Sequence, residues 1–125
     1  MAGGIREIGR VLEPGGCLCI CVLHPMAAAG HFDTREPDSP FTIANDYLRS
    51  WDYRETFEHD GHTMTFTSSA HSLETYARAI ERAGLLIDLI REPPAPAEAV
   101  ELDPSEARWN RLPIFLFLRA RKLER

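Results

Sequence analysis

The sequence predicts an α/β protein, in which helices pack on a sheet and a β-hairpin is inserted between them. Two segments, Cys17–Leu23 and residues 114–120, are apolar on both alternating faces, as strands inside α/β sheets are. Two others, residues 2–13 and 73–83, repeat apolar residues at helical spacing. Asp60-Gly61 between two alternating segments indicates the hairpin.

Size and charge exclude several classes of protein. The 125 residues, 44% hydrophobic and 26% charged, suffice for one globular domain over residues 1–125. The longest apolar run is Cys17–Leu23, far short of the roughly 20 residues of a membrane helix, and no signal peptide is visible. We therefore expect a cytoplasmic protein without a membrane partner. The net charge of −5 argues against a nucleic-acid partner, which would require a basic stripe.

The first helix and strand are separated by a turn. Ile5, Ile8 and Leu12 form the apolar side of the helix over residues 2–13. Pro14-Gly15-Gly16 ends it, because proline cannot continue a helix and glycine adopts the left-handed conformation that closes one. The triplet precedes a strand, the reverse of the order in a phosphate-binding loop.

Cysteines alternate along the strand Cys17–Leu23. Cys17, Cys19 and Cys21 would lie on one face, with neighbours about 7 Å apart. That spacing is too wide for a disulfide or for ligands that converge on one ion. We expect no metal site, and a buried strand that uses cysteine as a small apolar residue.

An insertion occupies about residues 26–71. Residues 26–45 have the composition of a loop, and a connection that long is a functional lid or binding loop, or else disordered. Residues 53–58 and 62–68 form the predicted hairpin. The insertion contains six aromatic residues that could line an apolar pocket or could pack the hairpin onto the sheet: Phe32, Phe41, Tyr47, Trp51, Tyr53 and Phe57.

The remaining elements follow in order. Ser72 caps the second helix, and Gly84 ends it. Residues 85–92 form a strand that Pro93-Pro94 terminates. Residues 95–112 are a linker with a short helix at residues 104–110, and the last strand covers residues 114–120.

Residues 5–16 resemble the "EI-x-RVL-x-PGG" segment of class I S-adenosylmethionine-dependent methyltransferases, which leads into the fifth strand of that fold. Residues 73–85 resemble the family's last helix with its turn into the sixth strand, and residues 113–122 resemble its seventh strand. The resemblance implies part of a Rossmann-like sheet, the fifth to seventh strands in mixed order, with helices on one face and a β-hairpin insertion.

The resemblance also implies S-adenosylmethionine as cofactor of the full-length family. The family's Gly-rich turn after its first strand and the acidic residue that ends its second strand are both missing here. Gly3-Gly4 precedes a helix, with no strand ahead of it. We therefore expect that the chain alone binds no cofactor. It would be an inactive, truncated portion, arising from a shortened gene, a misassigned start, proteolysis or deliberate truncation.

Candidate site residues follow from position. In doubly wound sheets, ligands bind beyond the carboxyl ends of the strands, where His24 follows the fifth strand. We expect His24 to act as a base or to orient a small-molecule acceptor; the alternative is a strand-end histidine bonded to backbone. Insertions at this point vary the acceptor site in the family, so the six aromatic residues are candidates for acceptor binding.

The edge of the strand Cys17–Leu23 predicts self-association. Without a fourth strand, Cys17–Leu23 would be an uncharged, proline-free edge. We expect a homodimer through that edge or through the bare sheet face. Two other hypotheses stay open: a non-catalytic module that binds a partner through its exposed sheet, and a small-molecule-binding module that uses the aromatic insertion.

Overall fold

A computed structural model describes residues 1–124 of the chain. Its main sheet has three strands, β1 (Cys17–Leu23), β6 (Leu85–Arg91) and β7 (Phe115–Lys122), in the order β1-β7-β6. The central strand β7 is antiparallel to both neighbours, so β1 and β6 run parallel to each other. The predicted order and direction of these strands are confirmed.

Two helices cover one face of this sheet. Helix α1 (Ala2–Val11) and helix α3 (Leu73–Arg82) pack against each other and on the strands. The hydroxyl of Ser72 accepts a hydrogen bond from Thr75 N–H at 3.2 Å, which confirms the predicted cap. The buried core lies between helices and sheet and consists of Ile5, Tyr76, Ala79, Ile80, Leu85, Leu116, Leu118 and Ala120.

The opposite face of the sheet is uncovered within residues 1–124. On β1, the odd-numbered residues are exposed and the even-numbered ones are half-buried. The prediction that the cysteines are buried is therefore wrong, because the helices reach only the face that carries Leu18, Ile20 and Val22. The exposed face carries Cys17, Cys19, Cys21, Leu23, Leu86, Phe115 and Phe117.

The insertion is more ordered than its composition indicates. Where a loop was predicted, the chain forms a short helix, α2 (Pro25–Ala28), and a small hairpin of β2 (Gly30–Phe32) and β3 (Phe41–Ile43). Gly30 permits the hairpin, because any β-carbon there would collide with the Thr42 carbonyl oxygen. The loop prediction is corrected at these residues.

The predicted Asp60-Gly61 hairpin is confirmed, with longer strands than expected. Strands β4 (Trp51–His59) and β5 (His62–Ala70) pair antiparallel, and both turn residues have positive φ, 50° and 75°. The turn end of the hairpin is exposed on both faces, whereas Trp51 and Tyr53 at its base are half-buried.

The segment between β6 and β7 contains two short helices. The predicted helix at residues 104–110 is present as a 3₁₀ helix, Pro104–Asn110. Helix α4 (Ala97–Leu102) was not predicted, and it lacks both a buried residue and a side-chain cap. Sequence periodicity therefore had no buried stripe from which to detect it. Among residues 1–124, no helix combines the length and apolar character needed to cross a membrane.

Candidate functional site

The described residues form two cavities of interest, at opposite ends of the sheet. The larger, about 730 Å³, lies where β1 and β6 begin and is lined by Arg6, Pro14 and Leu85, among others. The second, about 270 Å³, lies where β1 ends. Ligands of doubly wound sheets bind beyond the carboxyl ends of the strands, so the smaller cavity is the candidate site. We call it the carboxyl-edge groove.

Three elements build the carboxyl-edge groove. The end of β1 and the start of α2 contribute Cys21, Leu23 and Pro25. The base of the β4–β5 hairpin contributes the hydroxyl groups of Tyr53, Ser68 and Ser69. The segment from His71 into α3 contributes an imidazole and the Tyr76 hydroxyl. Besides Cys21, Leu23, Pro25 and Val22, the groove is lined by Ala28, Tyr53, Ser68, Ser69, Ala70, His71 and Tyr76.

His71 is the titratable imidazole of the groove. Its Nδ1 lies 2.8 Å from Ser50 Oγ, and its ring meets the Tyr76 ring edge to face at 5.7 Å between centroids. Among residues 1–124, Nε2 of His71 has no hydrogen-bond partner. Because every buried side-chain polar atom in these residues has a partner, Nε2 must be in contact with solvent. Burial, aided by the Met1 amino group and opposed by Asp52, lowers the pKa of His71 below its ordinary 6.5.

Tyr76 brings a hydroxyl to the same groove. The residue is only 7% exposed, yet within the described residues its hydroxyl has no protein hydrogen-bond partner. That hydroxyl therefore keeps contact with solvent. Burial, and to a lesser extent nearby Tyr53, raise the pKa of Tyr76 above its ordinary 10.0, so it remains a donor at neutral pH.

His24 lies beside the groove at the end of β1, where it was expected. Its Nδ1 accepts a hydrogen bond from Met26 N–H at 3.1 Å and caps α2. The proton must then reside on Nε2, which lies 2.8 Å from Glu92 Oε1 and donates to it. Both ring nitrogens are thus engaged, and the side chain is 11% exposed.

The six aromatic candidates separate into different environments. Tyr53 lines the groove, and Trp51 packs against it with ring centroids 5.2 Å apart. Phe32 packs edge to face on Phe41 and on Trp109, away from the groove. Tyr47 accepts a hydrogen bond from Leu73 N–H at the start of α3, and Phe57 pairs with Phe66 on the exposed part of the hairpin. Of the six, only Tyr53 lines the groove, and Trp51 packs behind it.

Comparison with solved structures identifies the architecture. The chain superposes on an S-adenosylmethionine-dependent methyltransferase from Mesorhizobium loti with a TM-score of 0.69 and 20% identity. A Listeria monocytogenes protein assigned to the same class gives 0.67 and 19%. The chain has the S-adenosylmethionine-dependent methyltransferase fold. No protein-family model and no curated protein matches it.

The chain accounts for only part of that methyltransferase fold. The superposition covers 96% of the chain but 54% of the Mesorhizobium protein, and 99% of the chain but 55% of the Listeria protein. The chain thus spans just over half the length of the solved structures it matches.

The described residues do not fit the cofactor of this methyltransferase fold. A cofactor cradle requires a glycine-rich turn from a strand into a helix N-terminus. At the carboxyl edge, β1 continues through His24 into the four-residue helix α2, which begins with Pro25 and contains no glycine. Among residues 1–124, no group of three or more His, Cys, Asp or Glu side chains is placed to hold a metal ion.

Sequence reasoning missed His71, Tyr76 as a groove residue, Ser50 and Glu92. One signal was available, since His71 stands immediately before the Ser72 cap and so at the carboxyl edge of the sheet. No local signal indicates that Ser50 meets His71 or that Glu92 meets His24, because these pairs are 21 and 68 residues apart in sequence.

Proposed function

We propose that the chain is the carboxyl-terminal portion of an S-adenosylmethionine-dependent methyltransferase that methylates a small molecule, and that it supplies the acceptor side of the site. The observation that supports this proposal best is the carboxyl-edge groove in a sheet with the methyltransferase strand order. The groove lies where that fold binds ligands, and it combines apolar walls with hydroxyl and imidazole groups.

The isolated 125-residue chain is proposed to be inactive. Methyl transfer requires the sulfonium donor and the acceptor to be held in line. Because the described residues provide no cradle for S-adenosylmethionine, the cofactor site belongs to another part of a whole enzyme.

His24 receives an orienting role in this proposal. Its Nδ1 lone pair is occupied by Met26 N–H, and its Nε2 proton by Glu92, so neither nitrogen is free to take a proton from an acceptor. Through these bonds His24 fixes α2, which forms one wall of the groove. In an extended, active enzyme, His24→Ala would then raise KM for the acceptor; loss of kcat by about 10²–10⁴-fold at unchanged KM would instead identify a base.

Self-association belongs to the same proposal. The N–H of His24 donates to the Ile114 carbonyl, and the N–H of Lys122 donates to the Gly16 carbonyl. Because hydrogen-bonded positions alternate along an antiparallel pair, the even-numbered residues of β1 are the ones bonded to β7. The backbone groups of Cys17, Cys19 and Cys21 consequently point to the free edge. We propose that a second copy of the chain covers this edge or the bare sheet face.

A binding module without catalysis is the second candidate function. It is favoured by the fact that the groove is formed within residues 1–124 alone, so that a small molecule could bind without any other part of a methyltransferase.

Genomic sequence followed by calorimetry separates the two functions. An in-frame sequence upstream of Met1 that encodes a strand and a Gly-rich turn is expected, and the extended protein should bind S-adenosylmethionine, whereas the 125-residue chain should not. Absence of such a sequence, or an extended protein that ignores the cofactor, would reject the methyltransferase proposal in favour of the binding module. Low-micromolar affinity of the 125-residue chain would instead reject its proposed inactivity.

A further inference from the structure

We infer that the carboxyl-edge groove binds a small uncharged ring compound through an acidic hydroxyl, of the phenol class, with His71 Nε2 as the proton acceptor and the Tyr76 hydroxyl as donor. The inference deepens the proposed function and rests on it only in treating the ligand as the methyl acceptor. Binding itself needs no cofactor, so it can be tested on the chain directly.

Complementary polar groups define the ligand's hydroxyl. We assign the ring proton of His71 to Nδ1, where it is donated to Ser50 Oγ 2.8 Å away; in that tautomer Nε2 is a lone-pair acceptor. Tyr76 retains its proton and presents a donor to the same groove. A hydroxyl both donates and accepts one hydrogen bond, so it satisfies His71 and Tyr76 together.

Charge and volume define the rest of the ligand. No lining residue of the groove is a carboxylate, lysine or arginine, and His71 is neutral above its lowered pKa. An ionised ligand would therefore lose hydration, and the two charges that reach His71 from outside the lining, the Met1 amino group and Asp52, are opposite in sign. A volume of about 270 Å³ falls just below the range typical of drug-sized ligands, which favours a single ring. Leu23, Pro25 and the Tyr53 ring provide apolar walls.

The proton step is simple. The hydroxyl donates a hydrogen bond to Nε2, and full transfer of that proton would produce a phenolate and an imidazolium. In this assignment Ser50 acts as a positioning residue, because a bond from Nδ1–H to its Oγ favours the tautomer that leaves Nε2 free.

Phenol and anisole provide the decisive pair of probes, because anisole keeps the ring and loses the hydroxyl proton. Each is titrated into the 125-residue chain while the ring proton of His71 is followed by NMR. We expect phenol to shift that signal saturably and to bind at least about tenfold more tightly than anisole, the ratio for one lost hydrogen bond. Equal affinities, or no saturable shift, would overturn the inference.

Variants assign the interaction to residues. H71Q and Y76F should each lower phenol affinity about tenfold and leave anisole binding unchanged. H62Q, at the exposed hairpin turn, is the matched control and should change neither. If H71Q fails to fold by circular dichroism, Y76F decides, since it keeps the buried ring. Phenol affinity unaffected by Y76F contradicts the assignment, and cofactor binding by an extended protein does not bear on this outcome.

Discussion

His24 Nε2 lies 2.8 Å from Glu92 Oε1, a bond that joins the residue after β1 to the residue after β6. The strand β7 lies between these two strands, so the bond spans the full width of the sheet at its carboxyl edge. It holds α2 and the first residues after β6 in one arrangement beside the carboxyl-edge groove.

Substitution of Glu92 should lower the unfolding free energy less than substitution of His24. E92Q leaves a neutral partner at a half-exposed position and should lower the unfolding free energy by about 0.5 kcal/mol. H24A also removes the cap of α2 from a buried position and should cost about 1–2 kcal/mol. Urea denaturation measures both, with E98Q on exposed α4 as control; a larger effect for E92Q than for H24A would contradict this account.

Helix α1 approaches the end of α3 closely at Gly9. A β-carbon at Gly9 would lie 2.6 Å from the Ala83 carbonyl oxygen, which is backbone and cannot move aside cheaply. G9A should therefore destabilise the protein by about 1–3 kcal/mol despite alanine's better helix propensity. G4A is the control: its β-carbon meets nothing within 4 Å, and it should stabilise by up to about 1 kcal/mol. Thermal unfolding that ranks G9A above G4A would exclude the close contact.

Acidification should destabilise the fold through His71. The folded-state pKa lies below the unfolded value of 6.5, so the unfolded chain takes up the proton first. The unfolding free energy should thus fall as the pH drops below about 6.5. The stability that neutral His71 contributes is fully present only above that pH. The unfolding free energy of H71Q should depend less on pH between 7 and 5 than that of the parent. Parallel pH profiles would count against the perturbed His71.

Two carboxylates, Asp88 and Asp103, respond to acid at lower pH than His71 does. Hydrogen bonds from Arg119 first, and then Arg121, lower the pKa of Asp88, and bonds from Ser105 lower that of Asp103. Their contribution to the unfolding free energy is fully present above pH 3.8, the ordinary pKa of aspartate. It is lost as the pH falls through their lower pKa values in the folded protein. The H71Q comparison between pH 7 and 5 is therefore free of these two groups.

Two substitutions separate the possible dimer surfaces. C19P removes an N–H that points to the free edge and no bond to β7, so it should dissociate an edge-paired dimer. F117E places a charge on the bare face and should dissociate a face-packed dimer. Sedimentation equilibrium reads both, after circular dichroism has shown that each variant is folded. A parent chain that sediments as a monomer ends the dimer proposal.

Local patterns predicted most of the fold. The apolar alternation of Cys17–Leu23, the Ser72 cap and the Asp60-Gly61 turn each depend on neighbouring residues, and each proved correct. Burial of Cys19 could not be judged in the same way, because it depends on which sheet face the helices cover. The β2–β3 hairpin was missed because a close backbone contact at Gly30, rather than an apolar pattern, specifies it.

The groove was predicted less well than the fold, for a related reason. His24 follows β1 and Tyr53 lines the groove, whereas Phe32 and Phe41, grouped with them as aromatic residues of the same insertion, do not line it. Trp109, distant in sequence, packs on Phe32 and holds it elsewhere. Pairings of this kind depend on tertiary contacts that a single sequence does not reveal.

The central position of β7 also governs the order in which the chain can fold as it is made. Strands β1 and β6 leave the ribosome before β7 and cannot pair with each other, since the strand that joins them is translated after both. Cys17 finds its partner Arg121 only then, near the other end of the chain. Such long-range pairing slows folding, and two unpaired strands must meanwhile be kept from other nascent chains. The three-stranded sheet should consequently be completed only after β7 has emerged.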